Sequence, residues 1–218
     1  MRQLNLQGVF EFRTRLYTKN MVKGMVVYGE QLFTFDGTEY RNWDPTRSKL
    51  GAAIKKGTSQ IGIRPGSRVL YLGCSTGTTV SHVSDIVGEK GVVYAVDIAP
   101  RVMRDMILLS EKRGNIIPIV ADASRPVALS QYVGEVDVVF MDIAQRNQVE
   151  IFLKCVEAFC KKGGFSLLSF KSRSVDITVK PKILYQEARR EIEKELTIVD
   201  YRTLDPYEAD HAFFVCKK

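Results

Sequence analysis

The chain is poor in the residues that hold metals or build disulfide frameworks: it has two histidines and four cysteines. Cys74, Cys155, Cys160 and Cys216 show no C-x-x-C spacing, so neither a metal site nor a stapled domain is expected. Reduced, mostly buried thiols are the reading. No run of 18 apolar residues occurs, which excludes a membrane-spanning helix. The opening MRQLNLQGVFEFRTRLY lacks the apolar block and cleavage site of a secretory leader, so a cytoplasmic location is expected. Internal repeats, low-complexity tracts, an Arg-Gly-rich tail and the RNP and KH signatures of RNA-reading modules are also missing.

What remains is an ordinary globular composition with a basic bias. Apolar residues make up 45%, enough to bury a substantial core. The net charge of +7 favours a polyanionic partner, nucleic acid first.

Residues 1–45 read as β-structure. In VFEFRTRLY, Phe10, Phe12, Thr14 and Leu16 share one face, and Glu11, Arg13 and Arg15 share the other. LFTFDGTEYRNW, 32–43, reads as a hairpin around Asp36-Gly37. Asp44 and Pro45 then predict a helix start that runs through Arg47, Lys49 and Ile54 towards Gly57. A small N-terminal β-domain with the start of the linking helix is assigned to 1–52, and a second domain to 53–218.

After Pro65-Gly66, strands and helices alternate. Apolar strands are predicted at 68–73, 92–97, 116–121, 136–141 and 165–170, with helices at about 77–87, 100–113, 146–161 and 181–195. Nearly continuous apolar strands between helices mean a parallel sheet covered on both faces. Strands 196–202 and 212–217 follow each other without a helix, so the last strand is expected to be antiparallel. The fold class is α/β: a Rossmann-like, mostly parallel seven-stranded sheet plus the small β-domain.

The segment VLYLGCSTGTTVSHVSDIVG, 69–88, carries the first candidate site. Gly73 ends a strand and Gly77 opens a helix, but Ser75 stands where a dinucleotide fingerprint needs its second glycine. A nicotinamide dehydrogenase is therefore the weakest reading. Ligands in open α/β sheets sit at the carboxyl ends of strands, and there Asp97, Asp122 and Asp142 follow strands two, three and four. Three carboxylates make a poor phosphate site. They suit a ligand with a ribose, an adenine and a positive charge, which describes S-adenosyl-L-methionine. Asp97 is placed to accept from ribose hydroxyls and Asp122 to read the adenine amino group. Gly73 would allow the methionine end to approach closely, and the hydroxyls of Thr78 and Thr79 would supply polar contacts. These features resemble the class I S-adenosylmethionine-dependent methyltransferases.

Four polar residues then converge at one rim of the sheet: Lys49 before strand one, Asp142 after strand four, Lys171 after strand five and His211 at the start of the antiparallel last strand. A ribose 2′-hydroxyl is a weak acid, and a lysine can accept its proton only where a second cation or burial disfavours the ammonium. Lys49 is the candidate second cation for Lys171; Asp142 would orient the ammonium groups, and His211 the substrate or the lysine. Positioning for in-line displacement would supply most of the acceleration.

The segments YRNWDPTRSKLGAAI, VLYLGCSTGTTVSHVSDIVG, VDIAPRVMRDM, FMDIAQ, GGFSLLSFKSRSVD and LDPYEADHAFFV resemble the fibrillarin family of guide-RNA-directed ribosomal-RNA 2′-O-methyltransferases, across nearly the whole chain. The missing Arg-Gly tail matches the archaeal form. By that resemblance Lys49, Asp142, Lys171 and His211 form a Lys-Asp-Lys-His tetrad. It implies cofactor contacts at Thr78, Thr79, Asp97, Ile98, Asp122, Ala123 and Asp142, Ile143, Ala144 and Gln145, beside the loop residues Gly73 and Ser75. Asp97-Ile98 stands where family members often have Glu-Phe, which removes an aromatic wall for the adenine. Cys74 occupies a small-residue slot and reads as packing. The resemblance also implies a box C/D guide RNA with its target RNA (ribosomal, possibly also transfer RNA), a Nop-domain scaffold protein and a kink-turn-binding protein of the ribosomal-protein type. The basic run KSRSVDITVKPK offers Lys171, Arg173, Lys180 and Lys182 to RNA phosphates. Two other readings stay open: a class I methyltransferase acting on a small molecule or protein, and a non-catalytic RNA-binding subunit.

Overall fold

The computed structural model describes residues 1–218. The chain begins with five short antiparallel strands: β1 (Arg2–Gln3), β2 (Val9–Phe12), β3 (Arg15–Lys19), β4 (Leu32–Phe35) and β5 (Thr38–Trp43), in the order β1-β2-β3-β5-β4. Asp36 and Gly37 turn the β4–β5 hairpin with φ of 48° and 72°, the twist a two-residue turn needs. VFEFRTRLY is not the single alternating strand expected. Arg13 and Thr14 take φ of 46° and 65° and fold it into a second hairpin, pairing Phe12 with Arg15 and Val9 with Thr18. Val9, Leu16 and Tyr17 are buried, whereas Phe10 and Phe12 are half-exposed.

Helix α1 (Lys49–Lys55) starts later than the Asp44-Pro45 signal predicts. Ser48 is its N-cap, accepting from the Gly51 amide at 3.2 Å. Asp44 instead closes a local turn, accepting from the Thr46 amide at 2.9 Å and hydroxyl at 2.7 Å.

There follow β6 (Arg68–Leu72), α2 (Thr78–Val87), β7 (Val92–Asp97), α3 (Pro100–Lys112), β8 (Ile116–Val120), α4 (Pro126–Leu129), β9 (Val136–Met141) and α5 (Gln148–Phe159). The chain ends with β10 (Cys160–Lys171), α6 (Ser172–Val175), α7 (Pro181–Ile192), β11 (Thr197–Thr203) and β12 (His211–Lys217). The seven-stranded sheet has the order β11-β12-β10-β9-β6-β7-β8. β8, β7, β6, β9 and β10 are mutually parallel, and β12 runs antiparallel between β10 and β11. β10 begins five residues earlier than predicted, with a register break before Phe165. No helix is long and apolar enough to cross a membrane.

Two apolar layers cover the sheet. One joins Tyr71, Phe140 and Phe213 to α1, α2, α3 and the N-terminal sheet; the other joins Leu72, Met141 and Phe214 to α5 and α7. All four cysteines are buried and unpaired. Burial raises Cys155 and Cys216 to about 12 and Cys160 to about 11, and pushes Cys74 up further still.

The N-terminal sheet is fastened to α2 by charge. Arg41 bonds to Glu30 at 2.6 Å and to Asp85 at 2.8 Å, and Arg113 reaches Asp85 at 2.6 Å, with all four side chains 0% exposed. His82, next to Ser81 and one helical turn before Asp85, stacks on Trp43 with centroids 4.8 Å apart. Its ring nitrogens meet the Thr18 hydroxyl at 2.7 Å and the Tyr28 hydroxyl at 2.8 Å. Burial first, then Arg41 and Arg113, hold this imidazole well below its ordinary pKa, so it is neutral.

Candidate active site

The chain runs from β6 to β7 and β8 in one direction, then crosses to β9 on the other side of β6. A crevice opens where a parallel sheet reverses in this way, beyond the carboxyl ends of the two central strands. The loops after β6 and β9 meet there. Gly73 has φ of 85°, and a Cβ on it would fall 2.5 Å from the Asp142 carbonyl oxygen. The glycine is therefore needed for the approach of the β9 loop, a backbone reason distinct from the ligand approach expected.

A cleft of about 270 Å³ lies at this point. Its walls include Gly73 and Ser75 from the first loop, Asp97 and Ile98 after β7, Asp122 and Ala123 after β8, and the run Asp142 to Gln145 after β9. No lysine or arginine lines it. Asp97 is held by two backbone amides: its Oδ2 accepts from Ser75 at 3.0 Å and its Oδ1 from Ala99 at 3.0 Å. Each carboxylate oxygen keeps a further lone pair for a ligand. Ser75 reaches this bond from a left-handed conformation, φ 49°. Asp122 closes a turn onto Ser124 at 2.9 Å; the Ser124 hydroxyl and amide, with Arg125, hold its carboxyl below the ordinary range. Ile98 is 59% exposed, an apolar side chain left uncovered at the cleft.

Thr78 and Thr79 do not line this cleft. Thr78 faces a different groove, with Val26 and Leu108. Thr79 turns inward and donates to Ser48 Oγ at 2.9 Å.

The four residues of the reacting end arrive as two pairs. Lys49, the first residue of α1, donates to Asp142 Oδ2 at 3.2 Å. Asp142 thus belongs both to the cleft wall and to this ion pair. The charge of Lys49 is compensated by Asp142 rather than directed at Lys171 alone. Lys171, at the end of β10, stands directly across the ladder from His211, the first residue of β12. Opposite residues on neighbouring strands carry Cβ atoms about 5 Å apart on the same face. Parallel pairing of Leu168 with Met141 places Lys171 at the same carboxyl rim, two residues beyond the level of Asp142. The Lys171 ammonium has no hydrogen-bond or ion-pair partner. His211 donates from Nδ1 to the Ala209 carbonyl at 2.7 Å, so of its two neutral tautomers this bond selects the one with the lone pair on Nε2.

A positioning residue absent from the sequence reading is Gln148. Wholly buried at the start of α5, its amide accepts from Lys171 N and donates to Lys171 O, both at 2.9 Å. Only its place at a helix start, six residues beyond Asp142, hinted at this. The basic loop is partly engaged: Arg173 is bound to Asp210 at 2.8 Å. Lys180 and Lys182 flank Pro181 at the start of α7.

A family model described as Fibrillarin matches residues 1–218. The chain belongs to the fibrillarin family. It is 48% identical over 204 residues to a Thermococcus onnurineus fibrillarin-like rRNA/tRNA 2′-O-methyltransferase, covering 94% of this chain and 90% of that protein. Aeropyrum pernix fibrillarin, solved with natively bound S-adenosyl-L-methionine, is 40% identical with a TM-score of 0.90, covering 99% of this chain and 96% of that one. A fibrillarin solved in complex with Nop5p is also 40% identical with a TM-score of 0.90, covering 99% of each chain.

The cleft fits the cofactor of the A. pernix fibrillarin. Three carboxylates, no cationic side chain and apolar surfaces from Val96, Ile98 and Ile143 favour a cationic nucleoside over a phosphorylated one.

Proposed function

We propose that this chain transfers a methyl group to ribose 2′-hydroxyls of ribosomal and transfer RNA. S-adenosyl-L-methionine bound in the cleft supplies the electrophilic methyl on its sulfonium. The observation that carries the reading is the double membership of Asp142, which lines the cofactor cleft and holds Lys49 at 3.2 Å. The proton-handling residues therefore stand at the reacting end of the cleft. In this reading, Asp97 takes the ribose of the cofactor and Asp122 its adenine amino group. Lys171, free of partners and clamped through its backbone by Gln148, receives the proton of the target 2′-hydroxyl. His211 orients it through the Nε2 lone pair. Lys49 and Asp142 fix the electrostatics of the attacking oxygen.

The target is chosen by a box C/D guide RNA within a ribonucleoprotein, since the chain shows no base-reading module of its own. The relative solved with Nop5p supports a Nop-domain scaffold as one partner. A kink-turn-binding protein completes the assembly. Lys180 and Lys182 support RNA contact near the rim: cations at a helix N-terminus oppose the helix dipole, so their value lies in an external anion.

The test reconstitutes the chain with guide RNA, the two protein partners and labelled cofactor, and maps the methyl on a target strand beside a 2′-deoxy control. Lys171→Ala and Asp142→Ala should each lower transfer by about 100-fold or more while thermal unfolding is preserved. Normal rates in both variants reject the tetrad, and methylation of the 2′-deoxy strand rejects the ribose hydroxyl as the acceptor.

A further inference from the structure

Two serine hydroxyls on β10 are buried without a hydrogen-bond partner: Ser166, 0% exposed, and Ser169, 1% exposed. An unpaired buried hydroxyl costs stability, so its presence calls for a cause. The two lie three residues apart on one strand and therefore face opposite sides of the sheet. Ser166 shares its side with Leu168 and stands across from Cys216, in the layer beneath α5 and α7. Ser169 shares its side with Leu167 and Lys171 and stands across from Phe213, in the layer beneath α1 and α2.

The surroundings of Ser169 set it apart. Leu168 pairs with Met141 in the parallel ladder of β9 and β10, so one step further Ser169 stands level with Asp142. Phe140 and Leu167 belong to the α1 side and Met141 and Leu168 to the other, and alternation brings Asp142 and Ser169 together on the α1 side. Neighbouring strands lie about 4.8 Å apart, a span that a serine and an aspartate on one face can bridge. The Asp142 carboxylate is half used: Oδ2 takes Lys49 at 3.2 Å, and no donor reaches Oδ1. Of the other acids near this rim, Asp210 is bound to Arg173 at 2.8 Å, and Glu208 lies 4.0 Å from His211 Nδ1. No bond joins Ser169 to Asp142 in the structure, but an orphaned donor and an unfilled anionic acceptor are neighbours there. A turn about χ1 is all a serine needs to change partner.

We propose that Ser169 is a positioning residue for methyl transfer: during the reaction its hydroxyl donates to Asp142 Oδ1, which keeps Oδ2 on Lys49 and the carboxylate away from Lys171. The inference rests on the reading of Lys171 as proton acceptor given above. Without the hydroxyl, Asp142 is free to turn towards Lys171 and hold it as the ammonium, which cannot accept a proton.

The test compares single-turnover methyl transfer across pH in the reconstituted ribonucleoprotein with calorimetric unfolding of the full chain. Ser169→Ala should slow transfer about ten-fold at neutral pH, the worth of one hydrogen bond to a charged group, and the rate should recover as pH rises. It should not lower Tm, because it removes an orphaned hydroxyl. Ser169→Thr, which keeps the donor and suits a strand, should hold most of the rate. Ser166→Ala is the control: equally buried and equally orphaned on the other side, it should leave the rate and its pH dependence unaltered. In an Asp142→Asn background, Ser169→Ala should cost no more than about two-fold further. Ser169→Cys, similar in size and a weak donor, serves if Ser169→Ala fails to fold. A normal rate in Ser169→Ala, a loss that is the same at every pH, an equal loss in Ser166→Ala, or a slower rate that comes with a lower Tm each overturn the assignment. Full transfer by Lys171→Ala would instead sink the proton-acceptor reading. A dead Lys171→Ala beside a fully active Ser169→Ala sinks only the positioning role.

Discussion

Replacing Asp85 by asparagine tests how the N-terminal sheet is held to the methyltransferase fold. The carboxylate accepts four donors. Arg41 Nη1 and Thr18 Oγ1 reach Oδ2, both at 2.8 Å, while Arg113 Nη1 at 2.6 Å and the Met21 amide at 3.1 Å reach Oδ1. Asparagine keeps the shape, removes the charge, and turns one acceptor into a donor that faces other donors. The cluster of Arg41, Arg113, Glu30 and Asp85 is electrically balanced and 0% exposed, so the variant leaves a guanidinium buried without compensation. Breaking a buried pair from one side costs about 3–5 kcal/mol, which already includes the lost hydrogen bonds. For a domain of this size each kcal/mol moves Tm by about 2–4 °C, so Tm should fall by about 6–20 °C. Calorimetric and urea unfolding of wild type and variant at neutral pH measure both quantities. A loss below about 1 kcal/mol would refute the reasoning, because it would mean that water or a relaxed backbone solvates the freed arginine.

The buried neutral His82 predicts acid sensitivity. Its folded pKa lies well below 6.5, so the unfolded chain binds the extra proton as pH falls below that value. Stability is full above it and is lost downward by up to about 1.4 kcal/mol per pH unit. Urea unfolding at about pH 7 and about pH 5.5 should show a drop that is smaller by about 1 kcal/mol in His82→Gln; parallel losses in the two proteins refute the assignment. Ile98→Phe adds an aromatic surface to the cleft wall. At about 0.5–1.5 kcal/mol it should tighten S-adenosyl-L-methionine binding roughly two- to ten-fold by calorimetry, and weaker binding would show that position 98 does not meet the base.

The central strands were legible because a parallel sheet buried on both faces demands apolar runs such as VLYL and VVF, and no surface residue disguises them. The cleft was legible for a related reason: topology alone brings the ends of β6, β7, β8 and β9 together, so the acids after β7, β8 and β9 must share a rim with the loop after β6. Local competition obscured other features. Alternation continues unbroken through Arg13 and Thr14, and nothing in it marks two non-glycine residues with positive φ. Asp44-Pro45 satisfies the rule for a helix start as well as Ser48 does, and only the packing of α1 decides between them. The inward turn of Thr79 and the clamp of Gln148 on Lys171 depend on side-chain direction, which periodicity does not encode. Nothing in the sequence marks Arg41, Glu30, Asp85 and Arg113 as buried; their burial follows only from meeting one another where the N-terminal sheet packs on α2 and the end of α3.

The four sequestered thiols give the molecule a built-in clock for its own opening. Cys74 lies in the loop between β6 and α2, Cys155 lies on α5, and Cys160 and Cys216 lie on strands of the main sheet, all shielded from reagent and all poor thiolates. Alkylation at any of them must wait for its own part of the structure to come apart. The order in which the four sulfurs become labelled therefore reads out which portion of the sheet yields first, without any engineered probe.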